Sequence, residues 1–177
     1  MEFVDVKKYK KEIKKLYRSA FPANERAPLF LLFKRTNNGR DLFSAVSCDG
    51  KFIGLVYTIS IEKLTYVFFL AVKEELRGKG YGSKILDKIK NDSMDKTVIL
   101  MIEDTKKENC DNLNERLERL KFYEKNGFLR LNIQINEAGV DYELLGTNKD
   151  VTQADFLSLM KNYVGSFLFK YLYRKTK

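Results

Sequence analysis

Hydrophobic and polar residues change their spacing along the chain in a way that separates helices from strands. After a short strand-like segment at Phe3 to Val6, apolar residues recur every three to four positions from Tyr9 to Ala20, which is the spacing of an amphipathic helix. Leu29 to Lys34 predicts a second, shorter helix. From Leu42 onward, β-branched and aromatic residues gather in short segments, which is typical of strands.

Three of these segments form consecutive hairpins. Leu42 to Cys48 and Lys51 to Ile61 flank Asp49-Gly50, a dipeptide that favours a tight hairpin turn. Glu62-Lys63 is predicted to form a second turn before the strand Leu64 to Val72. Because each turn is too short for a crossover connection, the three strands are predicted to be antiparallel.

Strands and helices alternate in the second half of the chain. Thr97 to Glu103 is almost continuously apolar, which suits a strand buried on both faces. Leu113 to Lys125 has helical periodicity and ends at Asn126-Gly127. Phe128 to Ile135 and Tyr142 to Leu145 are the last two predicted strands. The pattern therefore predicts a mixed α/β chain.

A long apolar stripe follows, over Thr152 to Tyr173. Its members repeat at helical spacing for about five turns: Phe156, Leu159, Met160, Tyr163, Val164, Phe167, Leu168, Tyr171 and Leu172. The stripe predicts one amphipathic helix that begins at Thr152 or Asn148. Its predicted partner is the sheet or another helix of the same chain. A homodimer and a membrane surface are the alternatives.

Composition narrows the class of protein. The 177 residues suit one domain, 1–177, and the content of 44% hydrophobic and 32% charged residues suits a folded chain. The sequence has no apolar run of about 18 residues, and its first residues lack the basic start and apolar centre typical of a signal peptide, so a cytoplasmic protein without a membrane span is expected. Two distant cysteines and no histidine argue against disulfides, zinc and a His-activated nucleophile. The net charge is +9, but lysines and acidic residues are interspersed, so nucleic acid is not the expected partner.

The most specific chemistry lies around three glycines. Arg77 precedes Gly78, Gly80 and Gly82, directly after the strand that ends in Leu70-Ala71-Val72. Alternating glycines let the backbone turn sharply and gather its N–H groups. The helix predicted from there to about Asn91 adds its positive N-terminal end. We therefore expect a phosphate or pyrophosphate site. The spacing fits neither a Walker A loop nor a dinucleotide-binding turn.

Arg-Gly-x-Gly-x-Gly after a strand ending in Leu-Ala-Val resembles the acetyl-CoA loop of the GNAT N-acetyltransferase superfamily. A second segment, Phe122 to Phe128, is similar to that family's Tyr-x-x-x-Gly-Phe signature. The resemblance covers roughly residues 51–128. It implies the GNAT fold: a mixed, mostly antiparallel sheet of about seven strands flanked by helices. The apolar helix over 152–173 is an addition to that fold.

The resemblance also implies acetyl-CoA as the co-substrate and no metal. The cofactor would be held by backbone groups of the strand and the loop and by loop cations. These residues are Leu70, Ala71, Val72, Arg77, Gly78, Lys79, Gly80, Tyr81, Gly82 and Ser83. In the family, this strand splays from the next one and offers its backbone groups to the amide-rich arm of the cofactor.

Tyr123 is the residue that the resemblance places beside the thioester sulfur. A phenol with a pKa near 10 is protonated at neutral pH and can donate to the departing thiolate. The amine must lose a proton, and Glu103, at the end of a central strand, is the leading candidate for the base. A water relay without a single essential base is the alternative. A Tyr that only packs and carboxylates that only cap or meet solvent are the non-catalytic alternatives.

The acceptor site is the least defined. The family's early helix-loop-helix overhangs the acceptor, so Glu25 and Arg26 are predicted substrate contacts, with Glu62 as a further candidate. The alternative is a capping Glu25 and a solvated Arg26. The chain also departs from the family, since Arg116 and Arg119 stand where Asn and Ala are common. The cofactor contacts of that Asn are therefore expected to differ here.

The resemblance therefore implies an N-acetyltransferase that acts by direct attack of a primary amine, in a small molecule or a peptide. The alternative is a CoA-binding sensor or regulatory module that has lost catalysis on the same fold. The sequence does not indicate which amine is the acceptor.

Overall fold

Short turns set the order of the elements in the first half of the chain. The computed structural model describes residues 1–36, 41–106, 110 and 112–176, and the chain divides into two compact units, Met1–Met94 and Asp95–Lys177. The first unit contains β1 (Glu2–Asp5), α1 (Lys10–Ala20), α2 (Leu29–Arg35), β2 (Asp41–Cys48), β3 (Lys51–Ser60), β4 (Leu64–Val72) and α3 (Tyr81–Asp92). Each of these elements agrees with its sequence prediction to within two residues.

The four strands of the first unit lie in the order β1-β2-β3-β4, and every neighbouring pair is antiparallel. Asp49 and Gly50 form the predicted turn, with Cys48 paired to Lys51. The pairing of β3 with β4 shifts between Tyr57 and Thr58, which leaves Phe68 as an extra residue on β4. This β-bulge bends the strand just before its last residues.

α1 covers part of these strands with its apolar face. Ile13, Leu16 and Tyr17 are buried, and the Tyr17 ring meets Phe69 of β4 edge-on, with the ring centroids 5.1 Å apart. The lysines of α1 lie on the opposite face, as the amphipathic pattern predicted. α3 likewise buries its apolar side chains, which are those of Ile85, Leu86 and Ile89.

The second unit contains β5 (Thr97–Glu103), α4 (Leu113–Lys125), β6 (Leu129–Glu137), β7 (Val140–Gly146), α5 (Gln153–Val164) and α6 (Ser166–Leu172). Its strands lie in the order β5-β7-β6, again antiparallel. The chain thus has the predicted fold class, mixed α/β with seven mostly antiparallel strands and flanking helices. In the part of the chain that the structure describes, no helix has both the length and the apolar character needed to cross a membrane.

The predicted C-terminal helix is present, but it is divided into two helices and does not run unbroken over 152–173. Thr152 caps α5 with a capping box to Asp155, so the predicted start at Thr152 is confirmed. The helix stops at Gly165, however, where φ is 83° and ψ is 156°, and α6 begins at the next residue. Glycine adopts this positive φ without the steric penalty that other residues meet. The sequence pattern concealed the break because apolar residues continue at helical spacing on both sides of it.

The break divides the apolar stripe into a buried part and an exposed part. Phe156, Leu159 and Met160 of α5 are fully buried, whereas Phe167 and Tyr171 of α6 are 91% and 64% exposed. The expectation that the whole stripe is buried by the rest of the chain is therefore correct for α5 and wrong for the outer face of α6.

Candidate active site

The glycine loop joins β4 to α3 and has an open surface. Gly78 and Gly80 have φ values of 72° and 79°, a conformation that favours glycine. A Cβ atom built on either residue would meet nothing within 4 Å, so the backbone conformation, rather than lack of space, requires glycine there. Gly82 differs from the other two, because it lies in the first turn of α3. The loop therefore exposes backbone that a ligand can approach closely.

The N-terminal turn of α3 offers unused donors beside this loop. Its first backbone hydrogen bond runs from Lys84 N to Gly80 O, at 3.2 Å, and Gly80 makes no side-chain cap. The N–H groups of the residues between them, Tyr81, Gly82 and Ser83, precede the first bond of the helix and have no partner within it. Three such N–H groups at the positive end of a helix dipole fit an anionic phosphate.

Cationic side chains flank the loop, and most of their donor atoms have no partner among the described residues. Arg77 donates from Nε to Val72 O, at 3.4 Å, which ties the loop to the end of β4. Its other guanidinium nitrogens have no partner among the described residues. Lys79 is exposed, and Lys84 Nζ lies 5.9 Å from the centre of the Tyr81 ring. These donors and the backbone together fit the phosphates of a nucleotide cofactor.

β4 brings its predicted cofactor-binding residues up to the loop. Leu70, Ala71 and Val72 pair with β3 along one edge of the strand. Gly54 of β3 faces this segment so closely that an added Cβ atom would lie 2.3 Å from Ala71 O. The absence of a side chain at Gly54 therefore sets how near β3 approaches the end of β4.

Glu103, at the end of β5, is bound by three side chains from α4 and its start. Arg116 donates to Oε1 at 2.8 Å, Asn112 donates to Oε2 at 3.3 Å, and an Arg119 nitrogen lies 3.6 Å from Oε2. Arg116 also donates to Asn112 Oδ1 and to Asp104 O, at 2.8 and 3.0 Å. The Glu103 side chain is only 13% exposed, so these donors, more than water, satisfy its charge.

This cluster was not predicted from the sequence. Arg116 and Arg119 stand out there as departures from the family pattern, with no local connection to Glu103. A signal was present, since the two arginines stand three residues apart on one face of α4 and so face the same carboxylate. The contact itself depends on tertiary structure and not on local spacing.

Tyr123 lies near the end of α4 in an aromatic setting. Its ring contacts Phe122 and Phe128, with centroids 5.2 and 5.8 Å apart. Burial raises the pKa of the Tyr123 phenol above its ordinary value of 10, and the charge of Arg119 opposes part of that rise. Its hydroxyl has no hydrogen-bond partner among the described residues. The phenol is therefore protonated at neutral pH and has its proton available for a ligand.

The Tyr-x-x-x-Gly-Phe segment has a physical explanation in this geometry. Gly127 N donates to Glu124 O and Phe128 N donates to Tyr123 O, at 3.0 and 3.1 Å, so the chain reverses at the end of α4. Phe128, which is fully buried, then packs edge-on against the Tyr123 ring. The motif thus fixes the position of the tyrosine.

The predicted acceptor residues lie at the ends of first-unit elements. Glu25 and Arg26 are half-buried in the loop between α1 and α2, and Glu62 is exposed in the turn between β3 and β4. The Tyr17 hydroxyl donates to Ala27 O, at 3.0 Å, and so fixes that loop to α1. No role for these three residues follows from their positions alone.

A second buried charge pair was also missed. Glu143 of β7 is fully buried and accepts from Arg130 Nε on β6 at 2.8 Å, while another Arg130 nitrogen bonds to the second carboxylate oxygen. Arg130 also donates to Thr105 Oγ1, at 3.3 Å. A two-point Arg–carboxylate pair of this kind satisfies the charge of a buried carboxylate.

Residues 39–130 match the family model described as the acetyltransferase (GNAT) domain, which is more than half of the chain. The chain belongs to the GNAT acetyltransferase family. No curated protein matches it in sequence. The family that the sequence motifs predicted is thereby confirmed.

Solved structures agree with the family assignment. A GNAT-family protein from Bacteroides thetaiotaomicron is 16% identical, with a TM-score of 0.75, and the match covers 96% of this chain and 98% of that one. An aminoglycoside 6'-N-acetyltransferase complexed with coenzyme A is 14% identical, with a TM-score of 0.64 and coverage of 86% and 99%. Arabidopsis thaliana Naa50, in complex with a bisubstrate analogue, is 17% identical, with a TM-score of 0.62 and coverage of 83% and 96%. At these identities the likeness concerns the fold.

Proposed function

We propose that this GNAT-family chain is an N-acetyltransferase that moves the acetyl group of acetyl-CoA to a primary amine by direct attack. The observation that carries the proposal is the glycine loop: two glycines with positive φ lead into the uncapped N-terminus of α3. In this proposal residues 1–177 act as one cytoplasmic acetyltransferase domain.

The glycine loop binds the phosphates of the cofactor in this proposal. The N–H groups of Gly78 to Ser83 receive the pyrophosphate, and Arg77 and Lys79 add charge-assisted contacts from their unused nitrogens. Backbone groups of Leu70, Ala71 and Val72 hold the amide-rich arm. Acetyl-CoA supplies the activated acyl group, and the chain supplies its binding and orientation.

Tyr123 serves as the proton donor to the departing sulfur. The direction of its pKa shift supports this role, because a phenol whose pKa lies above 10 keeps its proton across the physiological range. The hydroxyl is also not committed to another group among the described residues, so no existing bond has to break before it can donate.

Glu103 is proposed as the acceptor of the amine proton, through Oε2. Its contacts at that oxygen, to Asn112 and Arg119, are 3.3 and 3.6 Å long, whereas Arg116 holds Oε1 at 2.8 Å. Oε2 is thus the less tightly held oxygen of a well-positioned carboxylate. A relay of water molecules that ends at Glu103 satisfies the same requirement.

The acceptor class is a primary amine in a small molecule or peptide. Structural neighbours are named as acetyltransferases of aminoglycosides and spermidine, and one was solved with a peptide bisubstrate analogue; each of these names concerns an amine acceptor. Glu25, Arg26 and Glu62 are the proposed acceptor contacts in this chain, where carboxylates would attract an ammonium group.

The test is release of free thiol from acetyl-CoA in the presence of a panel of primary amines, which includes aminoglycosides, polyamines and short peptides. Turnover with any of these amines that depends on both substrates supports the proposal. Tight CoA binding without turnover on any amine would instead favour the sensor module, and it would contradict the catalytic proposal.

A further inference from the structure

α6 exposes large apolar side chains to solvent on its outer face. Phe167 is 91% exposed, Tyr171 is 64% exposed and Leu168 is 44% exposed. Phe167 and Tyr171 stand four residues apart and thus on the same face of α6. Isolated exposed apolar residues are ordinary, but three on one short helix form an apolar patch, and patches of this kind often mark an interaction site.

The patch exists because of the break at Gly165. In an unbroken helix, the spacing of Phe156, Met160, Tyr163, Phe167 and Tyr171 would place all five on the buried face. The positive φ at Gly165 reorients α6, so that Phe169 and Tyr173 turn inward in place of Phe167 and Tyr171.

α6 is held in this orientation from its inner side. The Tyr173 ring stacks on Phe169 at 5.0 Å and meets Phe156 of α5 edge-on at 6.1 Å. Ala138 N donates to Leu172 O at 2.7 Å. Thr176 Oγ1 donates to Asn136 O at 2.8 Å and accepts from Asn136 N at 3.0 Å. The outward display of the patch is therefore a fixed property of the second unit.

The residues around the patch carry positive charge, which favours an anionic partner. From Phe156 to Lys177 the sequence contains no Asp or Glu. Three cations, Lys170, Arg174 and Lys175, lie on or next to α6, and all three are exposed. Each therefore meets a partner without competition from a carboxylate of this segment.

We propose that the outer face of α6 docks the protein reversibly on anionic phospholipid membranes, with Phe167 and Tyr171 at the level of the headgroups and the neighbouring cations on the lipid charges. Helices with one apolar face and flanking lysines and arginines bind in this way, and aromatic side chains favour the interface. This inference goes beyond the proposed acetyl transfer and does not depend on it.

A second copy of the chain fits the patch less well. Three side chains of this size offer at most about 500 Å², below the roughly 800 Å² that each partner contributes to a stable interface. Two copies would also bring the same three cations face to face, which like-charge repulsion disfavours.

The test is flotation of the full chain with vesicles of phosphatidylcholine alone and of phosphatidylcholine mixed with phosphatidylglycerol, at low and high salt. We expect binding to the anionic vesicles that weakens with salt. The double substitution Phe167→Ser, Tyr171→Ser should weaken binding at least about tenfold. Lys170→Gln with Arg174→Gln should weaken it about fivefold for each cation removed.

Met94→Ser is the matched control, because Met94 is 87% exposed and lies in the other unit; its vesicle binding should equal that of the unaltered chain. Equal melting temperatures will show that the α6 variants remain folded. Any one of three results would overturn the proposal. These are no binding to anionic vesicles at low salt, binding that the double substitution leaves unchanged, or a dimer in solution that the double substitution abolishes.

Discussion

The glycine loop and the Glu103 cluster are built in opposite ways. The loop is made of backbone: Gly78 and Gly80 shape it, and the N-terminal turn of α3 supplies its donors. The cluster is made of side chains, with Glu103 held by Arg116, Arg119 and Asn112. A site built from backbone is formed by consecutive residues, so the sequence alone can reveal it. A side-chain cluster depends instead on which residues the fold brings together. The two regions should therefore respond differently to substitution.

The largest effect is expected at Tyr123, the side chain that shares α4 with this cluster. Tyr123→Phe removes the proposed acid but leaves the ring and its contacts, so kcat should fall about 10²- to 10⁴-fold with little change in the KM for acetyl-CoA. Steady-state kinetics with the best amine of the panel measures both. Tyr171→Phe, which removes an exposed hydroxyl, is the control and should keep full activity. An unchanged kcat in Tyr123→Phe would remove this residue from the mechanism.

Arg116→Ala should destabilise the fold by about 2–3 kcal/mol, because it leaves the Glu103 carboxylate without its shortest ion pair. Both side chains are little exposed, at 11% and 13%. Lys121→Ala breaks the exposed pair with Glu118 and should change the free energy of unfolding by no more than about 0.5 kcal/mol. Urea unfolding separates the two variants. Equal effects would show that the cluster contributes no more than a surface pair.

Gly80→Val tests the backbone-built side of the comparison. A β-branched residue is strained at a φ of 79°, so the loop should shift and the Kd for acetyl-CoA should rise about tenfold or more, as measured by calorimetric titration. Gly139→Val is matched, since Gly139 has a φ of 91° and equally open surroundings in the β6–β7 turn. The Gly139→Val variant should lose a similar amount of stability and keep its affinity for acetyl-CoA. Equal losses of affinity in both variants would mean that the loop has no special role.

The smallest effect is expected at high pH. Burial raises the pKa of Tyr123 in the folded chain above the value of about 10 expected in the unfolded chain. The folded state then binds this proton more tightly, so the associated stability is present below pH 10 and is lost as the pH rises through the folded pKa. The free energy of unfolding should therefore fall more steeply above about pH 10 in the unaltered chain than in Tyr123→Phe. Parallel slopes would contradict the pKa shift.

The same contrast explains what the sequence could predict. Asp49-Gly50, Asn126-Gly127 and the apolar run of β5 are local signals, and each element they predicted is present. The loop and the Tyr123 segment were recognisable for the same reason. The helix break at Gly165 could not be predicted, because apolar residues continue at helical spacing on both sides of it. The Arg130–Glu143 pair was invisible because a β-bulge between Arg130 and Ile133 sets which residues of β6 and β7 meet.

Thermal unfolding with acetyl-CoA, CoA and NAD in parallel tests the central claim, that the glycine loop holds a CoA thioester. A ligand at about 100 times its Kd stabilises the folded chain by roughly 2.7 kcal/mol, which for a domain of this size raises the Tm by several degrees. We expect such a rise with acetyl-CoA and with CoA, none with NAD, and a clear loss of the rise in Gly80→Val. An unchanged Tm with both CoA compounds at millimolar concentration would contradict the loop assignment and the acetyltransferase proposal with it.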